Sequence, residues 1–222
     1  MCYSKEVSQR SFIINVITCY ILYNYNSNNN THKILALFFV FVGLMQLFDW
    51  IFWEHQNMSS ENEKRVNFIF TKISMIANHL QPIILAMILY LFNGKLHNLS
   101  ICIVILYILV VVPYTTNLSI DYTLVKNVET NKNKTKTSLY WQWNSAHNSY
   151  LVYATFLITL SVLSFENFNY PMNIILIFIN LSSFFLANFY YKSEYVGRFW
   201  CETASIIPLI LLILNKLDLI DF

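Results

Sequence analysis

Long apolar runs alternate with short polar stretches along the whole chain. Seven of these runs are long enough to cross a bilayer as an α-helix, which takes about 20 residues. They lie at residues 11–25, 34–53, 67–92, 97–114, 148–164, 171–191 and 199–215. The runs lack the alternation of a transmembrane β-strand, and a helix satisfies its own backbone groups in lipid. The pattern therefore predicts an all-α, polytopic transmembrane helical bundle of about seven spans, built as one membrane domain over residues 1–222.

The connections between the runs carry turn and interface signals. Gly94 lies in a short polar break that predicts a tight turn between the third and fourth spans, and Pro171 is suited to the first turn of the sixth. The longest connection, residues 115–147, is a basic loop that ends in an aromatic cluster containing Trp141 and Trp143. We expect this loop to be solvated and its tryptophans to anchor the return at the membrane interface.

Three spans precede the fourth and three follow it. This order is compatible with a 3+1+3 parallel repeat, the arrangement of some small-solute carriers. Central prolines in the third and seventh spans, Pro82 and Pro208, are in keeping with such a repeat.

Composition narrows the classes of function. Hydrophobic residues make up 56% of the chain and charged residues 12%, against about 25% charged in a typical soluble domain. The net charge of +2 indicates no nucleic-acid partner, so membrane lipids are the expected surroundings. The four cysteines show no CxxC spacing, and no HExxH, GxSxG, GxGxxG or P-loop pattern occurs. We therefore predict no metal, no cofactor and no catalytic residue.

Lysine and arginine distribution predicts the orientation, because cytoplasmic loops are enriched in both. One side of the predicted bundle carries Lys5, Arg10, Lys64, Arg65, Lys126, Lys132, Lys134, Lys136, Lys192 and Arg198. The other side carries Lys33, Lys95 and Lys216. The amino terminus is thus predicted to be cytoplasmic and the carboxyl terminus to lie on the opposite side.

Several charged residues fall inside the predicted spans, near their cytoplasmic ends. Charged groups at the centre of a span cost at least about 2.5 to 3.5 kcal/mol, so each is a functional candidate. We expect Asp49 to pair with Lys72, and Glu202 with Arg198 at i,i+4. The alternative is that the longer side chains extend to the lipid headgroups.

Polar residues also occur deeper in the spans. Asn78, His79 and Gln81 precede Pro82, which removes an amide donor from the third span, and Gln46 lies one turn before Asp49 on the second. The predicted ligand-binding set is Gln46, Asp49, Asn78, His79, Gln81 and Glu202. These side chains would line a small polar cavity open to the cytoplasm. The alternative is that they form interhelical hydrogen bonds that hold the bundle together.

Short motifs along the chain support a family resemblance. They are the opening MCYSKEVS, the stretch from Met45 to Trp50, the HLQP of residues 79–82 and the VGRFWC of residues 196–201. Together they resemble an uncharacterised family of multi-pass membrane proteins of giant DNA viruses and some protists. The resemblance implies that shared function involves Gln46, Asp49, His79, Gln81, Arg198, Trp200 and Cys201, and it brings no known substrate or cofactor.

Three functions are therefore considered. The first is binding or transport of a small polar solute, a proton or a lipid headgroup through the cytoplasm-facing cavity. The second is a structural or assembly role in the membrane of a virion or a cellular compartment. The third is an intramembrane lipid-modifying enzyme that uses Asp49, His79 and Glu202, although His79 is expected to lie about 10 Å deeper than the charged layer.

Overall fold

The structure is a computed structural model that describes residues 4–25, 29–129, 135–144, 146, 149–190, 196–217 and 220. Within these residues the chain forms seven α-helices and one antiparallel β-hairpin. The helices are α1 (Lys5–Tyr25), α2 (Asn30–Glu54), α3 (Glu61–Asn93), α4 (Asn98–Asn117), α5 (Ser149–Asn167), α6 (Tyr170–Tyr190) and α7 (Val196–Lys216). The all-α helical bundle is thus confirmed, with helix bounds close to the predicted runs.

Four of the described helices are long and apolar enough to cross a membrane: α2, α3, α4 and α5. Large apolar side chains also cover much of the outer surface; Leu91 is 73% exposed and Leu109 67% exposed. A soluble protein rarely leaves such surface in water, whereas lipid covers it without cost. The chain is therefore a membrane protein.

Five helices form a ring in which α2, α3, α5, α6 and α7 contact one another in that order and α7 contacts α2. Helix α1 packs against α2 and α7. Helix α4 contacts α3 and α5 from outside the ring and is the least buried of the four apolar spans. These neighbours are compatible with the 3+1+3 repeat, which stays a prediction.

The predicted turns are present at the helix ends. Gly94 follows α3 with a φ of 72°, a left-handed conformation that glycine adopts without strain, and its amide donates to the Tyr90 carbonyl. Pro171 is the second residue of α6 and so lies in its first turn. The start of α4 is capped from another helix, because Glu166 near the end of α5 accepts from the amide and hydroxyl of Ser100 at 2.9 and 2.6 Å.

The long loop contains regular structure that the sequence analysis missed. Strands β1 (Leu124–Glu129) and β2 (Thr135–Tyr140) pair in an antiparallel hairpin, with Leu124 opposite Tyr140 and Val125 opposite Leu139. The ammonium of Lys126 lies 3.6 Å from the centre of the Tyr140 ring. Valine, threonine and tyrosine favour extended backbone, so local propensity outweighs the basic character of the segment.

Gly43 allows α1 and α2 to approach closely. A β-carbon at this position would overlap the Asn15 carboxamide, which is itself held by a 3.2 Å hydrogen bond from its Nδ2 to the Ser205 carbonyl of α7. Ser205 is three residues before Pro208, whose missing amide weakens the hydrogen bonding of this turn. Asn15 therefore links three helices, and Gly43 makes room for it.

We predict that Gly43→Ala destabilises the bundle by about 1 to 3 kcal/mol, because the new methyl group displaces the Asn15 side chain. The measurement is thermal unfolding of purified protein in detergent. In the Asn15→Ala background the same substitution should cost markedly less, since the overlapping carboxamide is gone. Equal losses in both backgrounds would contradict the proposed contact.

Candidate functional site

A stripe of polar side chains runs along one face of α3. Its members are Asn67, Thr71, Ser74, Asn78 and Gln81, which follow one another at steps of four and three residues and are at most 1% exposed. Such spacing places them on one helix face, and 14 residues at 1.5 Å extend for about 21 Å. The polar stripe of α3 thus reaches from the hairpin end of the bundle toward its middle.

At the end of the polar stripe nearest the hairpin, Asn67 belongs to a hydrogen-bond network around Thr123, which lies just before β1. Asn67 Nδ2 donates to the carbonyls of His55 and Thr123 at 2.9 and 3.0 Å, and Asn67 Oδ1 accepts from the Thr123 amide at 2.9 Å. Gln56 adds a second clamp, donating to the Thr123 carbonyl and accepting from the Val125 amide. This network fastens the hairpin to the ends of α2 and α3.

Asp49 is completely buried beneath the end of the hairpin. Its Oδ1 accepts from Nε1 of Trp141 at 3.2 Å, and the Trp141 ring stacks on Trp143 with centroids 4.9 Å apart. The Tyr114 hydroxyl of α4 donates to the Trp143 carbonyl. The two tryptophans therefore cover the Asp49 carboxylate at the hairpin end of the bundle.

The predicted interfacial anchor is wrong, because both tryptophans are 0% exposed. An indole has a large apolar body and one N–H donor, so it is stable inside the bundle when a partner accepts that hydrogen. Asp49 supplies this acceptor for Trp141.

The predicted ion pair between Asp49 and Lys72 is also wrong. The Lys72 ammonium lies 5.3 Å from the centre of the Phe68 ring, one turn earlier on α3, and forms no ion pair with Asp49. Residue 72 lies about 100° around the helix from Thr71 and so leaves the face that carries the polar stripe. The side chains of Arg198 and Glu202 lie outside the described residues, so their predicted pairing stays a prediction.

His79 lies deeper, among tyrosines of α4 and α5. Its Nδ1 is 2.8 Å from the Met75 carbonyl, which accepts only, so Nδ1 carries the proton and Nε2 is left as an acceptor. The Tyr107 hydroxyl donates to the His79 carbonyl at 2.7 Å, and the rings of Tyr114 and Tyr153 lie 5.6 and 6.1 Å from the imidazole. Nε2 itself is buried and has no hydrogen-bond partner.

The predicted residues separate into two levels rather than one cavity. Asn67 of α3 donates to the carbonyl of His55, which lies just past the end of α2. Because α2 and α3 are antiparallel, Asp49 of α2 lies at about the same depth as Ser74 of α3. His79 is about five residues, or about 8 Å, further from the hairpin. Asn78 belongs to the deeper level, since its Nδ2 donates to the Tyr153 hydroxyl at 3.4 Å.

The polar set is closed to solvent. Gln46, Asp49 and Gln81 are 0% exposed, and Asn78 and His79 no more than 2%. The larger cavities of the described part of the chain are lined by other residues. The described residues also contain no group of three His, Cys, Asp or Glu side chains able to hold a metal ion. The five described members of the set are thus buried, and the cytoplasm-facing cavity expected from the sequence stays a prediction.

Sequence reasoning missed Trp141 and the tyrosines around His79. Tyr107 and Tyr114 are seven residues apart in an otherwise aliphatic span, which places them on one helix face and was the available signal. The contact between Trp141 and Asp49 joins residues 92 positions apart, and no local pattern predicts it.

We predict that Asn67→Ala loosens the hairpin without unfolding the bundle. Loss of a buried side chain that makes several hydrogen bonds costs about 1 to 3 kcal/mol, so amide hydrogen exchange in β1 should accelerate by about 5- to 100-fold. Hydrogen exchange followed by mass spectrometry measures this rate. Asn24→Ala is the matched control, because Asn24 is exposed and bonds only within its own helix; an equal acceleration in both variants would contradict the clamp.

Comparisons with protein-family models, with curated proteins and with solved structures found no match for this chain. A functional assignment therefore depends on the chemistry of the buried polar residues.

Proposed function

We propose that this protein binds or transports a small polar solute through the polar stripe of α3, and that the proton is the solute its titratable residues suit best. The single observation that carries the proposal is the run of five buried polar side chains within an apolar span, together with the buried histidine that follows Asn78, about 100° around the helix, and has an unpartnered acceptor nitrogen. Lipid headgroups and other small polar solutes are the other candidates.

The unpartnered nitrogen argues against a purely structural role for His79. A buried acceptor without a partner costs about 1 to 3 kcal/mol, and that cost falls on the resting protein. A group that takes up a proton or accepts a hydrogen bond from a solute recovers the cost in the bound state. Intramembrane ionisable residues that face the bundle interior are typical of such pathways.

The described conformation is the closed one in this proposal. Trp141 covers Asp49, and the stripe has no opening to solvent. Entry from the hairpin end requires the tryptophans to move, which breaks the hydrogen bond from Trp141 to Asp49. Asp49 then acts as the outer proton-binding group and His79 as the inner one.

The proposed orientation follows the positive charges. Lys5, Arg10, Lys64 and Arg65 lie toward the hairpin end, and Lys33 and Lys95 toward the other. We propose that all seven described helices cross the membrane, that the hairpin end is cytoplasmic, and that the carboxyl terminus lies on the opposite side. The resemblance to multi-pass proteins of giant DNA viruses and protists further suggests a host or virion membrane.

A structural or assembly role is the second candidate. The saturated network around Thr123 favours it, because there the polar groups do nothing beyond fastening one element to another. If the inner polar residues act in the same way, they contribute to packing alone.

Proton flux into vesicles tests the proposal. We predict that proteoliposomes carrying the wild-type chain, loaded with a pH-sensitive dye and given a potassium diffusion potential, acidify or alkalinise at least about tenfold faster than protein-free vesicles. Asp49→Asn keeps an oxygen acceptor for Trp141 but removes the charge, and His79→Phe removes the acceptor nitrogen. Both should lower the flux about tenfold or more, because each deletes a proton-binding group.

Glu166→Gln is the matched control, since it makes the same carboxyl-to-amide change at the start of α4, away from the polar stripe. Its flux should equal that of the wild type. Wild-type vesicles that conduct no faster than empty ones, or variants of normal melting temperature that conduct as well as wild type, would refute proton transport and favour the structural role.

A further inference from the structure

A second feature of the structure involves the outer surface of α4 and α5. The two helices leave a groove of about 510 Å³ between them, lined by Leu109, Pro113, Tyr114, Asn117, Leu151 and Val152 among others. Both helices are apolar spans, so the groove opens into the membrane. Its volume is in the range of small-molecule sites, which is about 300 to 1,000 Å³.

The His79 imidazole contacts a side chain that lines this groove. Tyr114 lines the groove, and the centre of its ring lies 5.6 Å from the centre of the His79 imidazole. Val152 also lines the groove, and the next residue, Tyr153, has its ring centre 6.1 Å from the same imidazole. The Tyr114 ring therefore contacts both the apolar groove and the residue that carries the unpartnered acceptor.

A second acceptor belongs to the groove itself. Pro113 has no amide hydrogen, so the carbonyl of Leu109, four residues earlier, lacks its usual helical donor. Leu109 and Pro113 both line the groove. The site thus combines a long apolar surface with hydrogen-bond acceptors and no complementary positive charge among its described lining residues.

We propose that the groove binds a membrane lipid whose polar end is a single hydroxyl group, and that this hydroxyl donates to Nε2 of His79 when the Tyr114 ring turns aside. The ligand must be a donor, because Nε2 is an acceptor. The part that reaches His79 must be uncharged, because His79 packs against Tyr107, near the middle of α4, where a phosphate would lose its hydration. Long-chain alcohols, sterols and diacylglycerols share this chemistry.

The inference goes beyond the proposed function and does not require transport. Binding of a hydroxyl-bearing lipid is measured at equilibrium, so it can succeed where proton flux is absent, and proton flux can occur with the groove blocked. The two proposals share only His79.

Photolabelling of the full chain in nanodiscs tests the site. The probes are a diazirine-bearing hexadecanol and its methyl ether, which has the same chain but no hydroxyl hydrogen. We expect half-maximal labelling of α4 and α5 at a concentration about tenfold lower for the alcohol than for the ether, the gain typical of one buried hydrogen bond. His79→Phe should reduce this ratio to about one, while Leu109→Trp, on the lipid-facing surface, should block both probes.

The groove between α1 and α2 provides an internal control. It has about 420 Å³, an apolar lining that includes Leu37 and Val40, and no described lining residue in ring contact with His79. Alcohol and ether should label it equally, and Leu37→Trp should leave labelling of α4 and α5 unchanged. A ratio near one at α4 and α5 in the wild type, or a tenfold ratio that persists in His79→Phe or appears equally at α1 and α2, would overturn the proposal. If His79→Phe fails to fold, the comparison of the two grooves and the Leu109→Trp variant still decide it.

Discussion

Polar groups buried in this bundle are stabilised only by partners within the protein, because lipid offers none. That constraint explains the architecture at three places where helices meet. Asn15 donates to the Ser205 carbonyl beside Pro208, Glu166 caps the start of α4, and Asn67 joins the end of α2 to the segment before β1. Each contact joins elements far apart in the chain. Apolar surfaces alone would leave the helices free to slide, since lipid tails contact leucine as well as another helix does.

The need for partners within the protein also determines where the hairpin lies. A buried carboxylate at Asp49 is costly unless donors surround it, and the donor described here, the indole of Trp141, comes from the connection between α4 and α5. The network around Thr123 places that connection over the helix ends. A loop that composition alone would leave in solvent is therefore part of the core. Lys126 of β1 lies against the Tyr140 ring of β2.

Periodicity was sufficient to predict the helices, because a span is defined by about 20 consecutive residues whose character does not depend on distant partners. It also identified Asp49, Asn78 and His79 as buried polar residues, since their position within apolar runs is a local property. It failed where the answer depends on contacts between distant segments. The predicted pair of Lys72 and Asp49 depended only on their similar depth in the membrane. Depth does not determine the rotation of a helix about its axis, and the Lys72 side chain lies over Phe68 instead. Likewise the sequence predicts an interfacial position for the tryptophans, because the acceptor of Trp141 is 92 residues away.

His79 keeps one ring nitrogen, Nε2, as a buried acceptor without a hydrogen-bond partner. Its ring and its backbone carbonyl are fixed by Met75 and Tyr107, so the side chain cannot rotate to satisfy Nε2 without breaking the bond at Nδ1. A residue that served only packing would be expected to use both nitrogens, as Asn67 uses both atoms of its carboxamide. The rigid setting of His79 instead holds one acceptor ready within the membrane. Both proposals for His79 require the same chemistry, a donor that brings a hydrogen to this fixed nitrogen, either from the polar stripe of α3 or through the groove between α4 and α5.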